Sequence, residues 1–252
     1  MKALRVVVIA AFAVLSAPAL AQESNICDVP DALLATDNLL SRVSLAAHDR
    51  KRLDIVVLGT GSSMLPGPSG TANAYPARLE ADLRRRLPKI EVNVRAEVKT
   101  GRSAADMVKE IDDVVRKTQP ALVIWQTGTY DAMHGLDADE FRDEITEGLG
   151  RLKAAGVDAV LVNMQYSPRT ETMIALDPYA DAMRLAAREQ EVPLFDRLAI
   201  MRHWNDTGVF DLYASVKDPA MAQQVHDCLG RALATVVIDA GHLSAYESKA
   251  SR

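Results

Sequence analysis

The chain has 252 residues, of which 48% are hydrophobic, 25% charged and 5% aromatic, and its net charge is −5. This balance excludes a disordered tail, a collagen-like repeat and a coiled coil. The acidic charge also argues against nucleic acid as a partner, since phosphate binding needs clustered Lys and Arg. The one basic cluster, at residues 84–86, ends a predicted helix, where cations suit the helix dipole.

The first residues have the pattern of a secretory signal peptide. Lys2 and Arg5 precede an apolar run from Val6 to Leu15, and the following Ala19-Leu20-Ala21 suits cleavage after Ala21. The mature protein is therefore expected in the periplasm or outside the cell. No later apolar run approaches the ~20 residues that a membrane helix requires. The predicted organisation is a signal peptide over 1–21, an N-terminal extension over 22–52, one domain over 53–240 and a C-terminal tail over 241–252.

Two cysteines, Cys27 and Cys228, lie near opposite ends of the predicted mature chain. Export to an oxidising compartment favours a disulfide between them. Two cysteines alone do not make a structural zinc site, and no histidine pair with metal-ligand spacing accompanies them. We therefore expect a disulfide and no metal.

Short apolar runs alternate with amphipathic stretches from residue 53 onward. Strands are predicted over 54–58, 90–98, 121–125, 157–163 and 192–195. Helices are predicted over 74–87, 103–117, 137–155, 178–190 and 219–240. This order predicts a three-layer α/β/α sandwich around a five-stranded parallel sheet, a flavodoxin-like arrangement with right-handed crossovers. In such sheets ligands bind beyond the carboxyl ends of the strands.

The loop after the first strand, residues 59–70, is rich in Gly, Pro and Ser. It lacks the third glycine of a dinucleotide fingerprint, the lysine of a Walker loop and the final glycine of a nucleophile elbow. A flavodoxin-like cofactor site would have to bind phosphate through Gly and Ser N–H groups alone. We therefore expect no cofactor. What remains is a pair of serines, Ser62 and Ser63, at the end of a strand.

The run from Asp54 to Ser63 resembles the SGNH (GDSL-like) hydrolase family, and the resemblance covers most of the mature chain. That family places a nucleophilic serine in a Gly-Asp-Ser turn directly after its first strand. If Gly59 is the family glycine, Gly61 occupies the serine position. If Gly61 is the family glycine, Ser63 is the nucleophile, with Ser62 as the second candidate.

The resemblance also implies donors for an oxyanion. Gly101 and Gly61 are candidates through their backbone N–H groups. The family's Gly-x-Asn-Asp block corresponds to residues 128–131, where Tyr130 stands in place of the asparagine, and Gln126 precedes it. A phenol can donate a hydrogen bond to an oxyanion, although its reach differs from that of an amide.

The family's last block, Asp-x-x-His before the final helix, is missing its histidine in the stretches that begin at Asp211 and Asp218. A serine hydroxyl is a weak nucleophile without a base in hydrogen-bond reach. His203 is the candidate substitute, with Asp211 or Asp206 to orient it. A structural role is predicted for His226.

Two functions follow from these residues. The first is an exported serine hydrolase, an esterase or O-deacylase acting on an acylated carbohydrate or small ester. The second is an inactive member of the same fold that binds a glycan or a protein partner in the same crevice. Aromatic rings and amides suit a sugar, and the candidates for such contacts are Gln126, Tyr130, Asn163, Gln165 and Trp204. The oligomeric state stays open.

Overall fold

One five-stranded parallel sheet organises the computed structural model, which describes residues 27–213 and 219–248. The predicted five-stranded α/β sandwich is confirmed. The predicted signal peptide at 1–21 lies outside the described residues. The strands are β1 (Arg52–Gly59), β2 (Glu91–Val98), β3 (Leu122–Gln126), β4 (Asp158–Val162) and β5 (Leu194–Phe195). Their order across the sheet is β2-β1-β3-β4-β5.

Helices connect the strands, and their starts follow the capping residues. The side chain of Ser103 accepts the N–H of Asp106 to open one helix, and Asp137 caps another in the same way. The helices are α1 (Asp31–Leu34), α2 (Ser41–Leu45), α3 (Gly70–Asn73), α4 (Tyr75–Arg86), α5 (Ala104–Thr118), α6 (Thr129–Met133), α7 (Ala138–Ala154), α8 (Pro168–Met173), α9 (Asp177–Glu189), α10 (Arg197–Asp206) and α11 (Pro219–Ala240).

The helices form two layers over the sheet. Helix α11 packs on α4, whereas α5, α7 and α9 contact one another in sequence, as right-handed crossovers from this strand order require. Glycine allows the closest approach between α11 and α4. A Cβ at Gly230 would lie 2.6 Å from the Cβ of Arg78. The core therefore depends on close backbone packing as well as on the apolar strands.

The segment after β5 differs from the sequence prediction, which left residues 196–218 without regular structure. Residues 197–206 form α10, because the side chain of Asp196 accepts the N–H of Ala199 and caps it. Trp204 is fully buried on this helix, where it packs against Phe210 and donates to the carbonyl of Asp28. Short helices α6 and α8 were likewise not predicted.

The predicted disulfide between Cys27 and Cys228 is present. It joins the N-terminal segment to α11 across 201 residues of sequence. Among the described residues no helix is both long and apolar enough to cross a membrane.

Removing this disulfide should lower stability without changing the fold. On the chain-entropy model, a bridge closing so long a loop restricts the unfolded chain strongly. We expect Cys27→Ser with Cys228→Ser to lower the free energy of unfolding by about 2–5 kcal/mol, measured by urea denaturation under oxidising conditions. An unchanged urea midpoint in the double variant would show that the bridge does not constrain the unfolded chain.

Candidate active site

The two serines of the loop after β1 lie in different surroundings. A single 3₁₀ turn covers Gly61–Ser63. Ser63 is only 1% exposed, and its Oγ lies 2.9 Å from both the Tyr75 hydroxyl and Gln126 Oε1. Ser62 is half-buried and borders a cavity. The turn thus directs Ser63 toward the protein interior and Ser62 toward the cavity.

Gln126, at the end of β3, holds this turn in place. Its Oε1 accepts hydrogen bonds from the N–H and the hydroxyl of Thr60 and from Ser63, each at 2.9 Å. The side chain is fully buried and does not line the cavity. A Cβ at Gly59 would lie 2.4 Å from Ser63 Oγ, so the turn also requires a glycine there. Gln126 therefore positions the serine turn from the protein interior, not from the cavity.

The cavity at the carboxyl edge of the sheet has a volume of about 660 Å³, within the range of small-molecule sites. Much of its wall is apolar, and four methionines from separate parts of the chain contribute: Met64, Met133, Met201 and Met221. Its polar lining includes Ser62, Tyr130, Gln165 and His226, with Arg169 at an exposed position. The wall that the structure describes contains no Asp or Glu.

Arg197, the first residue of α10, donates two hydrogen bonds to Ser62. Its Nη2 donates to Ser62 Oγ at 3.0 Å and its Nη1 to the Ser62 carbonyl at 3.1 Å. The guanidinium is 1% exposed, and its acceptors among the described residues are the two oxygens of Ser62. Burial lowers the pKa of Arg197 to about 10. The group therefore remains a cation at neutral pH, and Ser62 Oγ receives a charge-assisted hydrogen bond.

His226, on α11, borders the same cavity. One of its ring nitrogens accepts a hydrogen bond within the protein, so the other can only donate. Its Nδ1 accepts the backbone N–H of Tyr75 at 3.0 Å, so the neutral ring carries its proton on Nε2. Burial, reinforced by the charge of Arg197, lowers the pKa of His226 to about 4. At neutral pH this side chain can donate from Nε2 and has no second lone pair for a proton.

Backbone donors complete this corner of the cavity. The N–H groups of Gly61, Ser62 and Gly101 have no acceptor among the described residues, and all three residues border the cavity. Gly101 has a φ of +71°, which a glycine adopts without strain. Tyr130 also lines the cavity, with its ring stacked on His134 at 3.9 Å between centroids. These groups could bind a developing negative charge.

The remaining predicted site residues lie elsewhere. His203 is half-buried on α10 and does not line the cavity. Asp211 is exposed and accepts the N–H of Tyr213. Asn163 is buried, bonded to Asp196 and to the N–H of Leu198. Among the residues described, no cluster of His, Cys, Asp or Glu could hold a metal.

Sequence reasoning missed Arg197 and Tyr75. Arg197 does follow β5 at the carboxyl edge of the sheet, where ligand-contacting residues are expected. Asp196 is the N-cap of α10, and this signal in the sequence would have placed Arg197 at the start of a helix. Tyr75 carried no comparable signal, since a tyrosine at a helix start is unremarkable in sequence.

Gln126→Leu should destabilise the protein more than the loss of an amide from the cavity wall does. The change leaves three buried donors, two on Thr60 and one on Ser63, without an acceptor. We expect a loss of about 2–4 kcal/mol in the free energy of unfolding, measured by urea denaturation. Gln165→Leu, at a half-buried cavity position, is the matched control and should change stability little. Equal losses in both variants would contradict this account.

His226 should make stability depend on pH. Its pKa is 6.5 in its ordinary state and about 4 in the folded protein. Between these values the unfolded chain binds a proton there and the folded protein does not, so stability falls as pH drops from 6.5 toward 4. The full effect is about 3 kcal/mol. Urea unfolding at pH 7 and pH 5 measures it, and His226→Gln, which cannot titrate, should flatten the slope.

The fold has well-defined structural relatives. An acetyl-xylooligosaccharide esterase from Geobacillus Stearmophilus aligns with a TM-score of 0.60 and 15% identity over 73% of this chain and 94% of its own. LAE5, an alpha/beta hydrolase from the metagenome of Lake Arreo in Spain, aligns at 0.59 and 18% over 76% and 96%. TesA aligns at 0.55 and 17% over 71% and 97%. At these identities the likeness is one of fold.

Sequence comparison identifies the family. No curated protein matches the chain with significant sequence similarity. The profile of the non-GDSL lipase-like family, in contrast, matches residues 26–243, which include the serine turn, the cavity wall and α11. The resemblance to SGNH and GDSL hydrolases is thereby confirmed. The chain belongs to the non-GDSL lipase-like family.

Proposed function

We propose that the protein is an exported hydrolase of small carboxylic esters, with Ser62 as its nucleophile. The observation that carries the proposal is the position of Ser62 on the cavity, next to N–H groups of Gly61, Ser62 and Gly101 that have no acceptor among the described residues. Those donors suit the oxyanion that forms when a hydroxyl attacks an ester carbonyl. The disulfide between Cys27 and Cys228 supports export, since such bonds persist in oxidising compartments.

In this mechanism Arg197 replaces part of the role of a base. Its hydrogen bond to Ser62 Oγ favours the alkoxide over the neutral hydroxyl. The proton leaves to solvent hydroxide, because no described base is hydrogen-bonded to Ser62. His226, the nearest histidine in this network, has its Nδ1 occupied by the N–H of Tyr75 and already carries hydrogen on Nε2. The alkoxide attacks the carbonyl carbon, and the leaving alkoxide takes a proton from water and departs as the alcohol. A second water molecule then releases the acid from the acyl enzyme and returns the proton to Ser62. Such a hydrolase would be slow at neutral pH.

The cavity wall favours a small ester with an apolar acyl group over a polysaccharide. Methionines line it, and their thioethers fill irregular apolar space. Two of the residues expected to read sugar hydroxyls or stack on a sugar, Asn163 and Trp204, are fully buried and bonded within the protein. Gln165 and Tyr130 remain available for a small alcohol group.

Labelling with a fluorophosphonate, followed by peptide mapping, tests the nucleophile. We expect covalent modification of Ser62, loss of labelling in Ser62→Ala and retained labelling in Ser63→Ala. Ser63 is buried and bonded to Gln126, so its variant controls for disturbance of the turn. Modification of Ser63 instead of Ser62 would refute the assignment.

The pH dependence of the reaction tests the absence of a histidine base. We expect the rate of hydrolysis of a p-nitrophenyl ester to keep rising above pH 7, and to fall only as Arg197 loses its proton near its pKa of about 10. A serine activated by an ordinary histidine would instead reach a plateau near pH 7. A plateau there would show that a base outside this arrangement acts on Ser62.

A second candidate function is binding without turnover. It is favoured by the same commitment of His226 and by the contact of Ser62 with a cation instead of a base. Folded protein that is not labelled by the fluorophosphonate and does not hydrolyse esters would support this second function and refute the first.

A further inference from the structure

The outer strand β2 has one edge that no other strand of the described sheet covers. Its hydrogen bonds to β1 run from the N–H of Glu91, which donates to the carbonyl of Lys51, to the N–H of Lys99, which donates to the carbonyl of Gly59. In a parallel ladder only alternate residues bond to the neighbouring strand, so the even-numbered residues of β2 direct both backbone groups away from the sheet. Such a row of donors and acceptors can pair with another chain.

Helix α4 closes the first half of this edge. Glu80 Oε1 accepts the N–H of Val94 at 3.1 Å, and Arg84 Nε donates to the carbonyl of Val92 at 2.8 Å. Charged side chains at an edge hinder pairing with other strands. The beginning of β2 is therefore protected.

The second half of the edge is open. The carbonyl of Val94, both backbone groups of Ala96 and the N–H of Val98 have no hydrogen-bond partner within residues 27–213 and 219–248. The side chains of these three residues are apolar and none is buried. Together with Met64 and Pro68 they border another cavity, of about 540 Å³. This stretch can therefore accept a further strand through its backbone and its side chains.

The charges on the other face of β2 fit a second copy of the same strand. Arg95 and Glu97 are neighbours on this face and form an ion pair. In an antiparallel pair with Ala96 opposite Ala96, each Arg95 lies opposite a Glu97 of the second copy, in the closer type of cross-strand pair. The two adjacent registers place Arg95 against Arg95 or Glu97 against Glu97, which repel. The charges thus favour one direction and one register.

This register uses the open backbone groups. The two Ala96 residues exchange hydrogen bonds with each other, and the N–H of each Val98 reaches the carbonyl of Val94 in the other strand. The N–H of Val94 stays bonded to Glu80. No backbone hydrogen bond of the single chain has to break for the two strands to pair.

We propose that the protein forms a two-fold symmetric homodimer through antiparallel pairing of β2, which joins two five-stranded sheets into one continuous sheet. The interface is isologous, because the same residues of both chains meet there. The dimer does not depend on the hydrolase proposed above, since none of residues 94–98 lines the cavity at Ser62.

Sedimentation equilibrium of the oxidised protein without its predicted signal peptide, over a series of concentrations, tests the dimer. We expect the mass to rise from that of one chain to that of two as the concentration increases. Arg95→Glu and Glu97→Arg each place like charges across the interface, so each should weaken the dimer at least about tenfold. Lys109→Glu makes the same charge change as Arg95→Glu at an exposed position of α5. This control should leave dimerisation unchanged.

A mixture of the two interface variants tests the register. A chain with Arg95→Glu has acidic residues at both positions, and a chain with Glu97→Arg has basic residues at both. Neither should pair with itself. Together they place opposite charges across the interface, so the mixture should form a heterodimer about as tightly as the unmodified chain forms its dimer. Failure of the mixture to associate would overturn the proposed register.

Ala96→Pro tests the backbone pairing separately. It removes an N–H that takes no part in the ladder to β1, and proline is tolerated at the outer edge of a sheet. We expect loss of the dimer with an unchanged circular dichroism spectrum. If Ala96→Pro does not fold, the charge variants and their mixture decide the matter. A protein that stays monomeric at every soluble concentration, or a dimer that Arg95→Glu and Glu97→Arg leave intact, would overturn the proposal.

Discussion

The amide oxygen of Gln126 is the acceptor on which the arrangement of the site depends. It lies at the end of β3 and receives three donors from the turn that follows β1, so two neighbouring strands jointly fix one loop. With Ser63 held there and bonded to Tyr75, the next serine along the chain is turned toward the cavity. The α4–α11 layer joins the same network through the bond between Tyr75 and His226.

This network changes the electrostatic character expected of a serine site. His226, one of two histidines on the cavity wall, serves as a hydrogen-bond acceptor for a helix start, and the group in contact with the half-buried Ser62 hydroxyl is a buried arginine. The corner is therefore suited to stabilise the negative charge of an oxyanion, and no described base is hydrogen-bonded to Ser62. Stabilisation of charge and activation of the nucleophile, which a triad combines, are separated here.

The fold could be predicted from the sequence because its signals are local. The strand from residue 54 and the helix starting at Pro219 follow from apolar runs and from proline in a first helical turn. The contacts of the site could not, since they join residues far apart in sequence. Arg197 and Ser62 are separated by 135 positions, and His226 and Tyr75 by 151. Which serine faces the cavity is likewise decided by Gln126 and Tyr75, not by the loop sequence.

The methionines of the cavity wall have a consequence for selectivity. Met64, Met133, Met201 and Met221 come from separate parts of the chain, and each side chain is unbranched and can change rotamer without moving its backbone. A wall of this kind adjusts to ligands of different outline and discriminates weakly between chain lengths or branching patterns. Recognition by this protein would then depend on the polar head of a ligand, and its natural ligands could form a mixed set that shares one functional group.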